Sequence, residues 1–142
     1  MSDLFKPSRQ QAPSVADMTQ IKPTLAMFTI DCRDPREAAT FYAELLGWET
    51  AYDSDEAVML ASPSGVQLGF GKVEGHQPPS WPDEGGRKQF HLDLDTADIP
   101  AVEARALELG ATLADPQPSE TWRVLIDPAG HPFCLANWPA AQ

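Results

Sequence analysis

The sequence is short of positive charge. Ten Lys and Arg stand against 21 Asp and Glu, a formal net charge of −11, and that balance excludes a nucleic-acid partner, because phosphate backbones need Lys/Arg clusters. The nearest approach to such a cluster is the pair Arg87-Lys88. Cysteine is scarce as well. Cys32 and Cys134 are too few for a disulfide scaffold and read as reduced thiols of a cytoplasmic protein, with a single Cys32–Cys134 bridge left open. No window of eighteen apolar residues exists, and "MSDLFKPSRQQAPSVADMTQ" holds no apolar run. The expectation is therefore no signal peptide, no span and no membrane partner. What remains is 42% hydrophobic and 22% charged over 142 residues, a composition and size that suit one globular domain with an ordinary core.

Residues 1–23, with Pro7, Pro13 and Pro23 and no usable periodicity, read as a flexible arm. Order begins in "TLAMFTIDC", where Met27, Thr29 and Asp31 alternate with Phe28, Ile30 and Cys32; that period of two predicts a strand with one apolar face. Asp34-Pro35 then supplies an N-cap and a first-turn proline for a helix. It carries Ala38, Phe41, Tyr42 and Leu45 at helical spacing and stops at Gly47. The second half repeats the plan. Leu92 and Leu94 alternate with His91, Asp93 and Asp95, Asp98 caps a helix carrying Val102, Ala106 and Leu109, and Gly110 ends it. Asp34 and Asp98 stand 64 apart, Gly47 and Gly110 63 apart, and the turns "SPSG" (62–65) and "DPAG" (127–130) 65 apart. Landmarks in one order at nearly one offset indicate a duplicated unit. Each unit reads strand, helix, then about three strands. The first covers about 24–72 and the second about 90–138, within one domain over 24–138, and the Pro- and Gly-dense connector 73–89 is either a linker or a lid.

These words in these places, "DPREAATFYAELLGW", then "FHLDL", "LELGAT" and "DPAGHPFCL", resemble the vicinal oxygen chelate superfamily of glyoxalase I, bleomycin-resistance proteins and extradiol dioxygenases, and within it the bacterial glyoxalase-like domain proteins. The resemblance implies an α+β fold, with two tandem βαβββ units forming one cup-shaped mixed β-sheet and helices outside. It also implies a ligand site in the cup, and dimers are frequent in the group, so a homodimer is an expectation. Metal-dependent members place four ligands in the cup, at positions that fall here on Met27, Gly69, His91 and Cys134, with Gln67 as the fallback for Gly69. Met27 and Gly69 offer nothing to a hard or borderline divalent ion. No cofactor is therefore predicted; a divalent metal, if bound, would be held by His91 and Cys134 with Asp93.

The expected ligand-binding cup comprises His91, Asp93, Arg123, Thr29, Asp31, Met27 and Cys134, with Trp81 as a lid. His91 and Asp93 share the polar face of their strand, which is either a ligand-contacting wall or a merely solvated one. With the turn at 127–130, Ile126 opposes His131 and Arg123 opposes Cys134, which puts Arg123 in the cup as an ion-pair partner or a clamp for a carboxylate or carbonyl. Cys134 reads as a buried space-filler or, less simply, a nucleophile. Cys32 and Trp122 read as core, Trp48 as packed near the unit boundary and Trp138 as unassigned, while His76 and the acidic turn Asp53, Asp55 and Glu56 read as solvated. The expected function is metal-independent binding, or conversion, of a small organic molecule. The competing readings are a metal-dependent lyase or isomerase of the glyoxalase I kind and a drug-sequestering protein of the bleomycin-resistance kind. For the last, a planar cationic drug would suit Asp31, Asp93 and Asp95.

Overall fold

A computed structural model describes residues 27–82 and 91–137. The expected arm, the Arg87-Lys88 pair and Trp138 fall outside them. The first unit runs β1 (Met27–Cys32), α1 (Pro35–Leu46), β2 (Glu49–Asp53), β3 (Ala57–Ala61) and β4 (Gln67–Lys72). The second runs β5 (Leu92–Asp95), α2 (Ile99–Glu108), β6 (Thr112–Leu113), β7 (Arg123–Ile126) and β8 (Pro132–Ala136). Each sheet is mixed and ordered alike, β1-β4-β3-β2 and β5-β8-β7-β6, with the first strand parallel to the last and the other pairs antiparallel. The mixed β-structure is thus two four-stranded halves, with no strand pairing between them among the described residues. No described helix is long and apolar enough to cross a membrane.

The helices form where the sequence predicts and for the predicted reasons. Asp34 accepts hydrogen bonds from the Arg36 and Glu37 amides and Asp98 from that of Ala101, satisfying donors that a helix start leaves orphaned. Gly47 closes α1 in the left-handed conformation, φ 68°. The α2 helix stops slightly earlier than its marker, with Leu109 as its cap and Gly110 following at φ 109°.

One apolar core serves both units. Phe41 and Tyr42 of α1, Phe70 of β4 and Leu60 of β3 join Ala106 of α2, Leu125 of β7, and Phe133 and Leu135 of β8 in a single buried cluster. The Phe133 ring lies 5.8 Å from that of Phe41 and 6.0 Å from that of Tyr42. Removing so large a side chain from a shared core costs about 3–5 kcal/mol. Cys32 sits in the same core, and burial, reinforced by Asp34, Asp127 and Asp31, pushes its thiol up to about 11. Phe28 shares its strand face with Ile30 and Cys32 but stays half exposed, at 51%. Neither cysteine is in a disulfide.

The turn after β7 corrects the predicted hairpin register by one residue. Ile126 pairs with Pro132, Val124 with Cys134 and Arg123 with Leu135. Gly130 takes φ 93°, its amide donates to the Asp127 carbonyl, and the Asp127 amide donates to the His131 carbonyl. This is a three-residue loop closed by a left-handed glycine, which inserts one more residue than a symmetric turn. The first unit uses the same device, with Gly65 also at φ 93° and Gly69 paired opposite Met59 as Cys134 is opposite Val124.

Candidate functional site

The register decides which side chains share the open face of the second sheet. Asp93 and Cys134 are direct partners across the parallel β5–β8 pair, and His91 precedes Asp93 by two residues, which returns it to the same face. Their ligand atoms all lie within 4.8 Å of one another, and His91 Nε2 stands 3.3 Å from Asp93 Oδ1. Leu92 and Leu94 point the other way, into the shared core. These side chains border an open pocket of about 690 Å³ lined by His91, Asp93, Thr121, Trp122, Cys134, Ala136 and Asn137. That volume suits a small organic molecule.

Arg123 is not part of this face. It opposes Leu135, and its Nε donates to Glu103 Oε2 of α2 at 2.7 Å. Trp122 takes the place expected for it. The indole shares a face with Val124 and Ile126 and packs with them against Cys134 and Ala114, so its reading as helix-side core is corrected as well. A pocket wall predicted to be cationic is aromatic instead.

Trp81 lies on the same cluster, and its Nε1 donates to the Pro116 carbonyl at 3.3 Å. The connector reaches this position along the hairpin. Pro78 covers Gly130 so closely that a Cβ there would stand 2.3 Å from Pro78 Cβ. The His76 ring leans on His131, centroids 5.3 Å apart, and His131 Nε2 lies 2.6 Å from the Asp31 carbonyl. His76, expected to be solvated, is therefore half-buried. Burial first, then His131, lowers its pKa below the usual 6.5.

Met27, Thr29 and Asp31 belong to the other sheet, and none of them lines this pocket. Gly69 and Thr29 are register partners. A Cβ on Gly69 would meet Met27 Sδ at 2.9 Å and Thr29 Oγ1 at 3.1 Å, so the methionine occupies the space a ligating side chain at 69 would need. The first-unit half of the four-ligand metal centre therefore does not fit this chain.

Sequence reasoning missed Thr121, Trp122 and Asn137 in the pocket, and Gln117 behind it. The Gln117 amide donates to the carbonyls of Ala114 and Val124 at 2.8 and 2.7 Å and accepts from the Val124 amide at 2.9 Å, fixing the loop that delivers Thr121 and Trp122. The signal for Trp122 was Gly130 at the fourth position of its turn, which marks the extra residue. The acidic turn is solvated as expected, with Asp53, Asp55 and Glu56 all exposed, and Arg36 pairs with both Asp53 and Asp55 at the surface. A second depression of about 500 Å³, between α1, the end of α2 and Pro128, is bordered by Asp34, Arg36 and Glu44. Those groups already cap α1 or pair with Asp53, Asp55 and Arg105, which leaves the pocket beside Cys134 as the candidate site among the described residues.

Known proteins share this fold. The family model described as "Glyoxalase-like domain" matches residues 27–136. No curated protein matches the chain. Among solved structures, a glyoxalase/bleomycin resistance protein/dioxygenase family enzyme from Burkholderia phytofirmans PsJN is 20% identical, with TM-score 0.62, over 81% of this chain and 98% of its own. The trypanothione-dependent glyoxalase I of Leishmania major is 19% identical, TM-score 0.59, over 82% and 87%. A bleomycin-binding protein from Streptomyces verticillus, solved with copper(II)-bleomycin, is 15% identical, TM-score 0.55, over 84% and 99%. At these identities the likeness speaks for the fold.

Proposed function

Because this chain belongs to the glyoxalase-like domain family, we propose that it binds a small organic molecule in the pocket bordered by His91, Asp93, Trp122 and Cys134, without the four-ligand metal centre of its relatives. The observation that carries this reading is the composition of the pocket wall. An indole and a carboxylate face the cavity, and the one arginine expected there is turned away to Glu103. An aromatic wall beside a carboxylate, with no Lys or Arg among the lining residues, favours a neutral or cationic ligand with a flat apolar part over an anion. Met27, Thr29 and Asp31 enter this reading through a second copy: the outer edges of β1 and β5 carry no strand among the described residues, and a homodimer could set one beside the other. A reducing compartment such as the cytoplasm would keep Cys134 a thiol.

Thermal denaturation with copper(II)-bleomycin and a panel of small aromatic amines tests the reading. A ligand should raise the wild-type midpoint and lose that effect in His91→Ala and Trp122→Ala. Equal stabilisation of wild type and both variants would place the binding site elsewhere. The metal-dependent lyase or isomerase reading is favoured by one observation, the convergence of His91, Asp93 and Cys134, and it requires turnover of a small-molecule substrate by purified, metal-loaded protein. A sequestering protein would bind without turnover.

A further inference from the structure

The described part of the connector, residues 73–82, is fastened by few contacts, and the last of them lies beside the pocket. Val73 donates its amide to the Cys32 carbonyl at 2.9 Å, and His76 donates to the Val73 carbonyl at 3.2 Å. Beyond that point no backbone hydrogen bond ties residues 77–80 to the hairpin among the described residues, and Pro78 and Pro79 have no amide hydrogen to offer. Side chains hold the segment instead. The His76 ring lies against that of His131, Pro78 covers Gly130, and Trp81 packs on the cluster of Ala114, Val124 and Cys134. We propose that the connector is a proton-operated strap: with His76 neutral it clamps Trp81 onto the flank of the pocket, and with His76 charged it lifts from the hairpin. This goes beyond the binding reading and stands whether or not the pocket takes a ligand.

Geometry makes His76 the catch. Its ring centroid stands 5.3 Å from that of His131, with 31° between the planes. The His131 ring is itself fixed, because its Nε2 donates to the Asp31 carbonyl at 2.6 Å, a bond in which the carbonyl can only accept. The turn under Pro78 is fixed as well, since Asp127 binds the Tyr42 hydroxyl and the Ala129 and His131 amides. Gln77, Pro78 and Ser80 are exposed, and His76, Pro79 and Trp81 are half-buried. Few buried contacts on a firm seat make the connector the part that opens first.

The charges around His76 set the direction. His131 and Asp127 act on it from the hairpin, and Asp31 and Arg33 from the end of β1. Lys72 and Glu74 flank it on its own segment and pair with each other at 3.4 Å. Asp31 and Asp127 favour the charged ring, yet burial, with His131 and Arg33, outweighs them and holds its pKa below 6.5. A lifted ring surrounded by water has no such penalty. The strap is therefore firmest above the free-ring value and loosens as pH falls through the strapped one. Trp81 and Trp122 both pack on the cluster that contains Cys134, so lifting the strap uncovers the Cys134 side of the pocket wall.

Fluorine NMR of the full chain labelled with fluorotryptophan tests the strap, the Trp81 resonance being assigned by its loss in Trp81→Phe. From about pH 7.5 to about pH 5.5 the wild-type Trp81 resonance should move toward that of the free amino acid, while far-ultraviolet circular dichroism stays native. His76→Gln should keep the strapped position throughout, and His76→Lys should show the lifted position throughout. Reaction with dithiodipyridine, the labelled cysteine identified by peptide mass, reports the pocket end, since Cys32 is 0% exposed. At equal pH, the Cys134 rate in wild type over that in His76→Gln should be near unity at about pH 7.5 and at least about threefold at about pH 5.5. A Trp81 resonance that stays put in folded wild type would overturn the strap, as would the same movement in His76→Gln. Identical behaviour of His76→Gln and His76→Lys would overturn it too, because loss of the ring rather than its charge would then control the segment. Movement of Trp81 with unchanged Cys134 reactivity would overturn the link to the pocket. Should His76→Lys fail to fold, wild type against His76→Gln decides. Neither measurement uses a ligand, so failure of the binding reading would leave this result standing.

Discussion

Tyr42 of α1 donates its hydroxyl to Asp127 Oδ2 at 2.6 Å, joining the helix of the first unit to the hairpin turn of the second. The other oxygen of the same carboxylate accepts from the Ala129 and His131 amides, each at 2.9 Å. Asp127 is 4% exposed, so each of these donors replaces water that the carboxylate has lost. Burial first, then Asp127, holds the Tyr42 hydroxyl well above its usual pKa.

Tyr42→Phe should therefore destabilise the fold by about 2 kcal/mol, the range for a buried hydrogen bond to a charged group. At this chain length that lowers the melting temperature by roughly 6 °C. Calorimetry measures it. The native tyrosine should also resist ionisation in an ultraviolet titration until the protein unfolds. A raised pKa means the stabilisation is complete below the unfolded value and is lost as pH rises toward the folded one.

His76 gives the opposite dependence. Burial, His131 and Arg33 hold its pKa below 6.5 against the pull of Asp31 and Asp127, so the folded protein prefers the neutral ring. The stability this contributes is complete above the unfolded value and is lost as pH falls through the folded one. Urea midpoints measured from about pH 7 to pH 5 should decline, and His76→Gln should flatten that part of the curve.

Gly130 and Gly65 have the same backbone angle but different neighbours. Gly65→Ala meets open space and should cost about 1 kcal/mol for its positive φ alone. Gly130→Ala meets Pro78 and should cost clearly more, because the connector must lift from the hairpin. Comparing the two urea midpoints isolates that contact.

Arg123→Met should leave ligand binding unchanged and cost about 1 kcal/mol through loss of the half-buried Glu103 pair. Trp122→Ala should abolish binding. Calorimetric titration of the two variants separates the register found here from the one the sequence suggested.

Much of the fold was legible because its markers are local. Asp34-Pro35, Asp98, Gly47 and Gly110 act within a turn of their own positions, and the two "Pro-x-Gly" turns recur at one offset. His91, Asp93 and Cys134 were legible for the same reason, since strand alternation and an ungapped match of the two turns suffice to place them. Arg123 and Trp122 were not. Their faces depend on how many residues the 127–130 turn absorbs, and that follows from the left-handed glycine and from Tyr42, 85 residues away in sequence. The course of the connector over Gly130 was equally hidden, because proline and glycine announce a loop without saying what it lies on.

The hairpin turn also bears on how such a pocket can change. Side chains alternate along a strand, so lengthening or shortening that loop by one residue would turn Trp122 and Val124 inward and bring Arg123 and Leu125 out to the cavity. A single codon gained or lost at a site that touches no ligand would exchange an aromatic wall for a cationic one. The bonds from Tyr42, Ala129 and His131 to Asp127 hold the present length in place, and so a carboxylate on the far side of the sheet governs which molecules the open face can accept.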